Sequence, residues 1–459
     1  MKNFPADFVW GSATSSYQIE GAVDEGGRGR SIWDLFCEQP GKVLNGDSGS
    51  SACNHYHLFD QDVKLMAELG LKAYRFSIAW PRIQPSGEGE PNLAGISFYN
   101  KLIDCLIDHG IEPWITLYHW DLPEELYLHH QGWLNSSIIE KFGEYARICF
   151  ESFGDRVKHW ITLNEPWCSA VLGYGNGHHA PGHVSNSEPY QAAHNLLLSH
   201  AHAVEIYRNL SLNNDGSIGI TNNCDFRFPS SQSDEDINAA ERSLEFFLGW
   251  FADPIWKGDY PQIMKKLVGT RLPEFTEDEK KLLLGSSDFF GLNHYSSMLA
   301  SEPKEEIKPE ENIAGNGGMF EDQMVHLSDD PCWIKTHMEW NVVPEGCKEL
   351  LKWIHKRYNE PTIYITENGC AQDEPTLEFA LNDDKRIQFF KGYIHACYEA
   401  IQDDVNLKGY FAWSLMDNFE WAWGYDRRFG LCRVDFKTFE RTFKKSALWY
   451  KTVIKNNSI

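Results

Sequence analysis

The chain has 459 residues, of which 42% are hydrophobic and 14% aromatic, with 17 Trp and a formal net charge of −24 from 66 acidic and 42 basic residues. Such a surface repels phosphate backbones and anionic lipid headgroups, which argues against nucleic-acid and membrane partners, and no apolar run reaches membrane-spanning length. The 11 Cys form an odd set without Cys-x-x-Cys spacing, and Cys105, Cys149 and Cys397 sit inside apolar runs. That usage fits buried thiols in a reducing compartment.

The first residues, Met1 to Asp7, carry no long apolar stretch of the secretory type. A cytoplasmic location is therefore expected, with a secreted form whose signal is already removed as the alternative. From length alone about three domains would be expected, but a single α/β barrel can exceed 400 residues. Residues 1–459 are read as one catalytic domain.

Eight apolar, β-rich runs follow one another: Phe8 to Ala13, Ala73 to Trp80, Pro113 to His119, His159 to Asn164, Ser217 to Thr221, Phe289 to Asn293, Thr362 to Thr366 and Gly409 to Ser414. Continuous rather than alternating apolar runs suit parallel strands covered by helices. Amphipathic stretches lie between them. In one, Tyr99, Leu102, Ile103, Leu106 and Ile107 recur at helical spacing before Gly110; in another, Leu58, Leu65, Met66 and Leu69 precede Gly70. Eight strands in a repeated helix–Gly–strand order predict an α/β fold, a (β/α)8 TIM barrel with long loops at its C-terminal face. A doubly wound sheet would want a phosphate-binding Gly-rich turn after an early strand, and none is present. The polar stretches Cys37 to Cys53, Asn222 to Asp236 and Ser301 to Pro331 show no strand or helix pattern and are read as loops walling a pocket.

Barrels of this type carry their chemistry at the carboxyl ends of the strands. There the sequence places Gln18 and Glu20 after the first strand, Arg75 on the second, and His119 and Trp120 after the third. Asn164 and Glu165 end the fourth; Asn293, His294 and Tyr295 end the sixth. Glu367 ends the seventh, and Trp413, Glu420 and Trp421 follow from the eighth. Two of these ends are alike: Leu163-Asn164-Glu165-Pro166 and Thr366-Glu367-Asn368-Gly369 each stop an apolar run on a Glu beside an Asn. Paired carboxylates facing across a substrate are the minimal machinery for cutting a glycosidic bond. Amide, imidazole and carboxyl groups suit sugar hydroxyls, and Trp faces suit pyranose C–H surfaces. Glu165 would be the neutral acid and Glu367 the ionised partner held by Arg75, with the two side chains roughly 5 Å apart. Each feature alone has a plain structural explanation: Asn-Gly is usually a positive-φ turn, and the pairs His55/His57, His129/His130, His178/His179 and His200/His202 read as solvated side chains rather than metal ligands. No metal and no cofactor is expected.

These residues resemble glycoside hydrolase family 1, the β-glucosidase family, over essentially the whole chain. Phe8 to Gly21 is similar to the family's N-terminal signature and Ile363 to Ala371 to its nucleophile signature, with Cys370 as a departure. The resemblance implies a retaining β-glycosidase releasing terminal β-glucosyl residues by double displacement, with β-galactosidase and β-fucosidase side activity. Glu165 would be acid/base and Glu367 nucleophile, supported by Arg75. Gln18, His119, Trp120, Asn164, Asn293, Tyr295, Trp413, Glu420, Trp421 and Phe429 would bind substrate, with Trp333 and Cys168 on the aglycone side. Myrosinase-like relatives carry Gln where this chain has Glu165. Phospho-β-glycosidases replace the Glu of Phe419-Glu420-Trp421, which is intact here, so an unphosphorylated sugar is favoured. Partners would be small β-glycosides or oligosaccharides. A transglycosylase using the same site and a klotho-like, non-catalytic sugar-binding protein are the alternatives.

Overall fold

The computed structural model describes residues 2–210, 212, 215–304 and 318–459. Eight strands form its centre: β1 (Val9–Ala13), β2 (Ala73–Ser77), β3 (Glu112–Tyr118), β4 (His159–Asn164), β5 (Ser217–Asn223), β6 (Phe290–Asn293), β7 (Ile363–Asn368) and β8 (Leu407–Trp413). They close into a barrel in the order β1-β8-β7-β6-β5-β4-β3-β2, every neighbouring pair parallel. Each coincides with one of the eight apolar runs. The fifth extends to Asn223, two residues past the expected end, because its last carbonyls and amides still pair with β6.

The covering helices follow the same periodicities. In Leu93–Asp108, the Asn92 side chain accepts from the Ala94 amide at the start, while Phe98, Tyr99, Leu102, Ile103 and Leu106 face the core. Gly70 ends His55–Leu69 with a φ of +78°, a left-handed conformation open to glycine at little cost.

The barrel interior is layered. At its floor Trp114, Phe289 and Phe411 pack with Ala13, Ala73 and Ile161. Gly11 is required here, since a Cβ would meet the Phe411 ring at 2.4 Å. Above lies a polar layer: Arg75 Nε donates to Thr116 Oγ1 (3.1 Å), Thr221 Oγ1 to Thr366 Oγ1 (3.2 Å) and Thr366 Oγ1 to Asn293 Oδ1 (2.7 Å). The apolar floor and the hydroxyl tier together set the height at which the strand-end carboxylates emerge.

Two of the polar stretches read as loops contain regular structure. Phe226–Pro229 is a strand, parallel to Ser297–Ser301, which pairs antiparallel with His326–Ser328 in a three-stranded sheet. Asp234 begins a helix capped by Ser233. These strands are short, and Phe226–Pro229 pairs with chain some 70 residues away, so local composition does not disclose them. Of Ser301 to Pro331, residues 305–317 lie outside the described residues. The stretch Cys37 to Cys53 holds only a short turn, Leu44–Gly46, and packs on the segment after β8: Tyr425 donates from its hydroxyl to Ser48 O at 2.7 Å. No helix among the described residues is long and apolar enough to cross a membrane.

Candidate active site

The two strands that end on glutamate are irregular at those ends. The β4–β5 register shifts between Ile161 and Asn164, and β7 shifts against both neighbours between Ile365 and Glu367 or Asn368. Such bulges re-aim side chains. Here they turn Glu165 and Glu367 into one buried pocket, 6% and 3% exposed. Glu165 has a φ of +46°, as unusual for a glutamate as the φ of +75° at Trp120 and +54° at Trp421. Left-handed non-glycine residues gather at functional sites, where the surroundings over-determine them. For Glu165 the hold is visible: its amide donates to Thr221 O at 2.8 Å and its carbonyl accepts from the Cys168 amide at 2.9 Å.

A short chain of hydrogen bonds links the two carboxyls. Asn293 Nδ2 donates to Glu165 Oε1 at 2.7 Å and to Asn164 Oδ1 at 3.0 Å, and Asn164 Oδ1 also accepts from the Arg75 guanidinium that holds Glu367. Glu367 is further held by Arg75 Nη1 at Oε1 (2.5 Å) and by the Tyr295 hydroxyl at Oε2 (2.7 Å). Arg75 Nη2 also donates to Asn164 Oδ1 at 2.6 Å. Burial, reinforced by the charge of Glu367, pushes the Glu165 carboxyl up to about 8. Burial raises Glu367 too, while Arg75, Tyr295 and Asn293 pull it back. Arg75 touches Glu367 and not Glu165, so a single proton shared by the pair resides on Glu165.

The rest of the wall is a connected set. Asn164 Oδ1 accepts from Arg75 and from Asn293 (3.0 Å), so its Nδ2 faces His119 Nε2 at 3.0 Å. His119 Nε2 is thus an acceptor and Nδ1 carries the hydrogen, buried and without a partner among the described residues. Burial and Arg75 keep that ring neutral. Gln18 Nε2 donates to Asn418 Oδ1 (3.0 Å), Phe419 O (2.9 Å) and Glu420 Oε2 (3.3 Å). Glu420 is 8% exposed, and burial followed by the charges of Glu367 and Glu165 raises it strongly. Trp120 Nε1 donates to Asn164 O at 2.9 Å, and its ring packs on Trp421 at 4.7 Å. Trp413 lies on the His119 side at 5.9 Å, and Phe429 meets Tyr295 edge-on at 6.2 Å. Hydrogen-bonding groups and flat rings thus surround a carboxyl held neutral and another held beside a guanidinium.

Most of the expected residues therefore come together around the two carboxyls. Trp333 has Phe228 as its ring neighbour, at 6.0 Å, in the three-stranded sheet region. Trp340 instead packs on Tyr295 (5.2 Å) and Phe429 (6.1 Å); it follows an irregular segment with no strand-end signal. Cys168 touches Glu165 directly, its Sγ 3.0 Å from Oε2. Asn223, at the true end of β5, reaches Cys168 Sγ at 3.5 Å and lay beyond the strand end read from sequence.

Three histidines depart from the solvated reading. His55 is buried and bonded to Asp62, and His200 is buried between Thr162 and Ser286. His179 packs among Trp33, Trp120 and Trp421, and burial pushes it down to about 3. In each case a neighbouring element covers a side chain that the sequence places next to polar residues. Nor does Asn368-Gly369 adopt a positive-φ turn. Gly369 is there because a Cβ would lie 1.7 Å from the Trp413 carbonyl oxygen.

A family model described as glycosyl hydrolase family 1 matches residues 1–459. The chain is 46% identical to β-glucosidase 4 of rice, Oryza sativa subsp. japonica, over 99% of this chain and 95% of the relative. It is 45% identical to β-glucosidase A of Thermotoga maritima, over 100% and 99%. Among solved structures, a rice β-glucosidase in a covalent complex with glucose superposes with a TM-score of 0.94 at 43% identity, covering 98% of each chain. The T. maritima β-glucosidase with castanospermine superposes with a TM-score of 0.92 at 44% identity, covering 100% of each.

Proposed function

The chain belongs to glycosyl hydrolase family 1, and from that membership we propose that it is a retaining β-glucosidase, with residues 1–459 forming one catalytic domain. Glu367 is the nucleophile: its carboxylate, kept charged by Arg75, attacks the anomeric carbon from below. Glu165, neutral because it is buried beside another carboxylate, gives its proton to the leaving glycosidic oxygen. The Glu165 carboxylate then takes a proton from water as that water displaces Glu367 and releases the sugar with its configuration retained.

The observation that carries this reading is the hydrogen-bonded chain from Glu165 through Asn293, Asn164 and Arg75 to Glu367, which joins both carboxyls in one buried pocket. Retaining enzymes hold the pair about 5–5.5 Å apart, close enough for covalent capture, whereas inverting enzymes leave a wider gap for water; the charge of Glu367 felt at Glu165 supports the closer spacing. The covalent glucose complex of the rice neighbour supports the same chemistry.

His119, Gln18, Glu420, Asn164 and Trp421 hold the terminal glucose, and Trp413 lies under its ring. Glu420 meets its outer hydroxyls and disfavours a phosphate there. Galactosides and fucosides are accepted as side substrates, in keeping with a T. maritima neighbour in complex with galacto-hydroximolactam. Cellobiose and short β-glucosides are the substrates the named relatives suggest, one being a 1,4-β-D-glucan glucohydrolase. Hydrolysis rather than transfer to a second sugar is the main outcome. A chromogenic β-glucoside should be turned over by the purified protein, and Glu367→Ala should lower kcat by a factor of about 10⁴ or more; an alanine variant with undiminished turnover would overturn the assignment.

A further inference from the structure

Cys168 stands one helical turn beyond Glu165, and the chain between them brings the thiol back onto the carboxyl. The Cys168 amide bonds the Glu165 carbonyl at 2.9 Å, and the stretch Cys168–Leu172 is wound as a π-helix, a form frequent at functional sites. Sγ lies 3.0 Å from Glu165 Oε2. The opposite oxygen, Oε1, already accepts from Asn293. Asn223 Nδ2 approaches the sulfur at 3.5 Å as a donor, which leaves the thiol hydrogen for Glu165. The cysteine is buried, 6% exposed, and has no disulfide partner.

We propose that Cys168 is a positioning residue for the acid/base, its thiol donating to Glu165 Oε2 whenever that carboxyl is ionised. The inference rests on the reading of Glu165 as acid/base. When Glu165 has given its proton to the departing glycosidic oxygen, the new carboxylate accepts S–H at Oε2 and N–H at Oε1. Both oxygens are then fixed as water enters, and the proton that water gives up goes to Glu165. No proton leaves the thiol: burial and the nearby charges of Glu165, Glu367 and Asp225 keep it in its protonated form. The other charged or titratable groups facing Glu165 are Glu367 and Arg75, with Tyr295 and Glu420 beyond them.

A donor to the ionised form stabilises that form, so its removal should make Glu165 a weaker acid. The pH dependence of kcat/KM for phenyl β-glucoside reads this directly. Cys168→Val, which keeps the volume and removes the donor, should move the alkaline limb upward by about half a unit or more. Cys168→Ser, with a stronger donor, should move it downward. Superimposable limbs in parent and valine variant, or a downward shift in the latter, would overturn the proposal. If the valine variant does not fold, the serine variant decides alone: a lower limb upholds the proposal, and an unchanged or higher one overturns it. A merely structural role for Cys168 would lower Tm without moving the limb. Failure of the underlying reading looks different: Glu165→Gln would then keep the parent's activity and its alkaline limb.

Discussion

At the residue scale, the account turns on how two chemically identical side chains come to differ. Both glutamates are buried, and burial alone would raise both. Arg75 and Tyr295 bind Glu367, whereas Glu165 meets an amide, a thiol and the field of its partner. Glu165 is raised to about 8, so its acid form is the populated one below that pH and is lost above it. For a substrate with a poor leaving group, kcat/KM should therefore fall as pH rises through about 8, whereas a dinitrophenyl glucoside, which needs little protonation, should show a much shallower decline. Rate profiles of the two substrates side by side test this; parallel profiles would count against Glu165 as the acid. The carboxylates were legible in sequence because each ends an apolar run beside an Asn. His179 and Trp340 were not, because what marks them is the ring each packs against, and those rings come from distant elements.

At the element scale, register shifts decide the site. Regular β4 and β7 would alternate their last residues between barrel interior and helix layer, and the shifts near Asn164 and Glu367 alter that alternation where the carboxylates stand. Gly369 serves the same end of β7 by letting the backbone pass against the Trp413 carbonyl. Gly369→Ala should force β7 and β8 apart, costing about 1–3 kcal/mol of stability and lowering kcat through displacement of Glu367. Thermal unfolding and turnover measured together check it, and an alanine variant with parental Tm and kcat would contradict the close-approach explanation. The eight barrel strands could be read from sequence because each is a continuous apolar run. The strand at Phe226–Pro229 could not: it is four residues long, ends in proline and is defined by pairing with Ser297–Ser301. The extra two residues of β5 were missed for a related reason, since Asn222 and Asn223 read as turn residues until β6 pairs with them.

At the scale of the whole molecule, the loop that carries Glu420 and Trp421 is anchored by a buried ionic network. Lys444 bridges Glu374 (2.5 Å) and Asp417 (2.7 Å), Arg428 reaches Asp417 (3.1 Å), and Arg386 joins Asp383 and Glu374. Asp383 in turn accepts from the Ser446 amide at 2.8 Å, which docks the last helix, Lys445–Asn456. Three segments, Glu374 to Arg386, Asp417 to Arg428 and Lys444 to Ser446, thus meet behind that loop, and nothing in any one of them announces it. Lys444→Met would leave Glu374 and Asp417 buried without their shared cation. Breaking such a pair costs about 3–5 kcal/mol, so Tm should fall by about 5 °C; a melting curve superimposable on the parent's would show that the network contributes little.

The central claim, a covalent sugar on Glu367, is tested most directly by mass spectrometry of the protein inactivated with an activated 2-deoxy-2-fluoro-β-glucoside, whose fluorine slows release from the enzyme. The account predicts one fluoroglucosyl group per chain, mapped to the peptide containing Glu367 and absent from Glu367→Ala. An adduct on any other residue, or none in a preparation that hydrolyses β-glucosides, would contradict it.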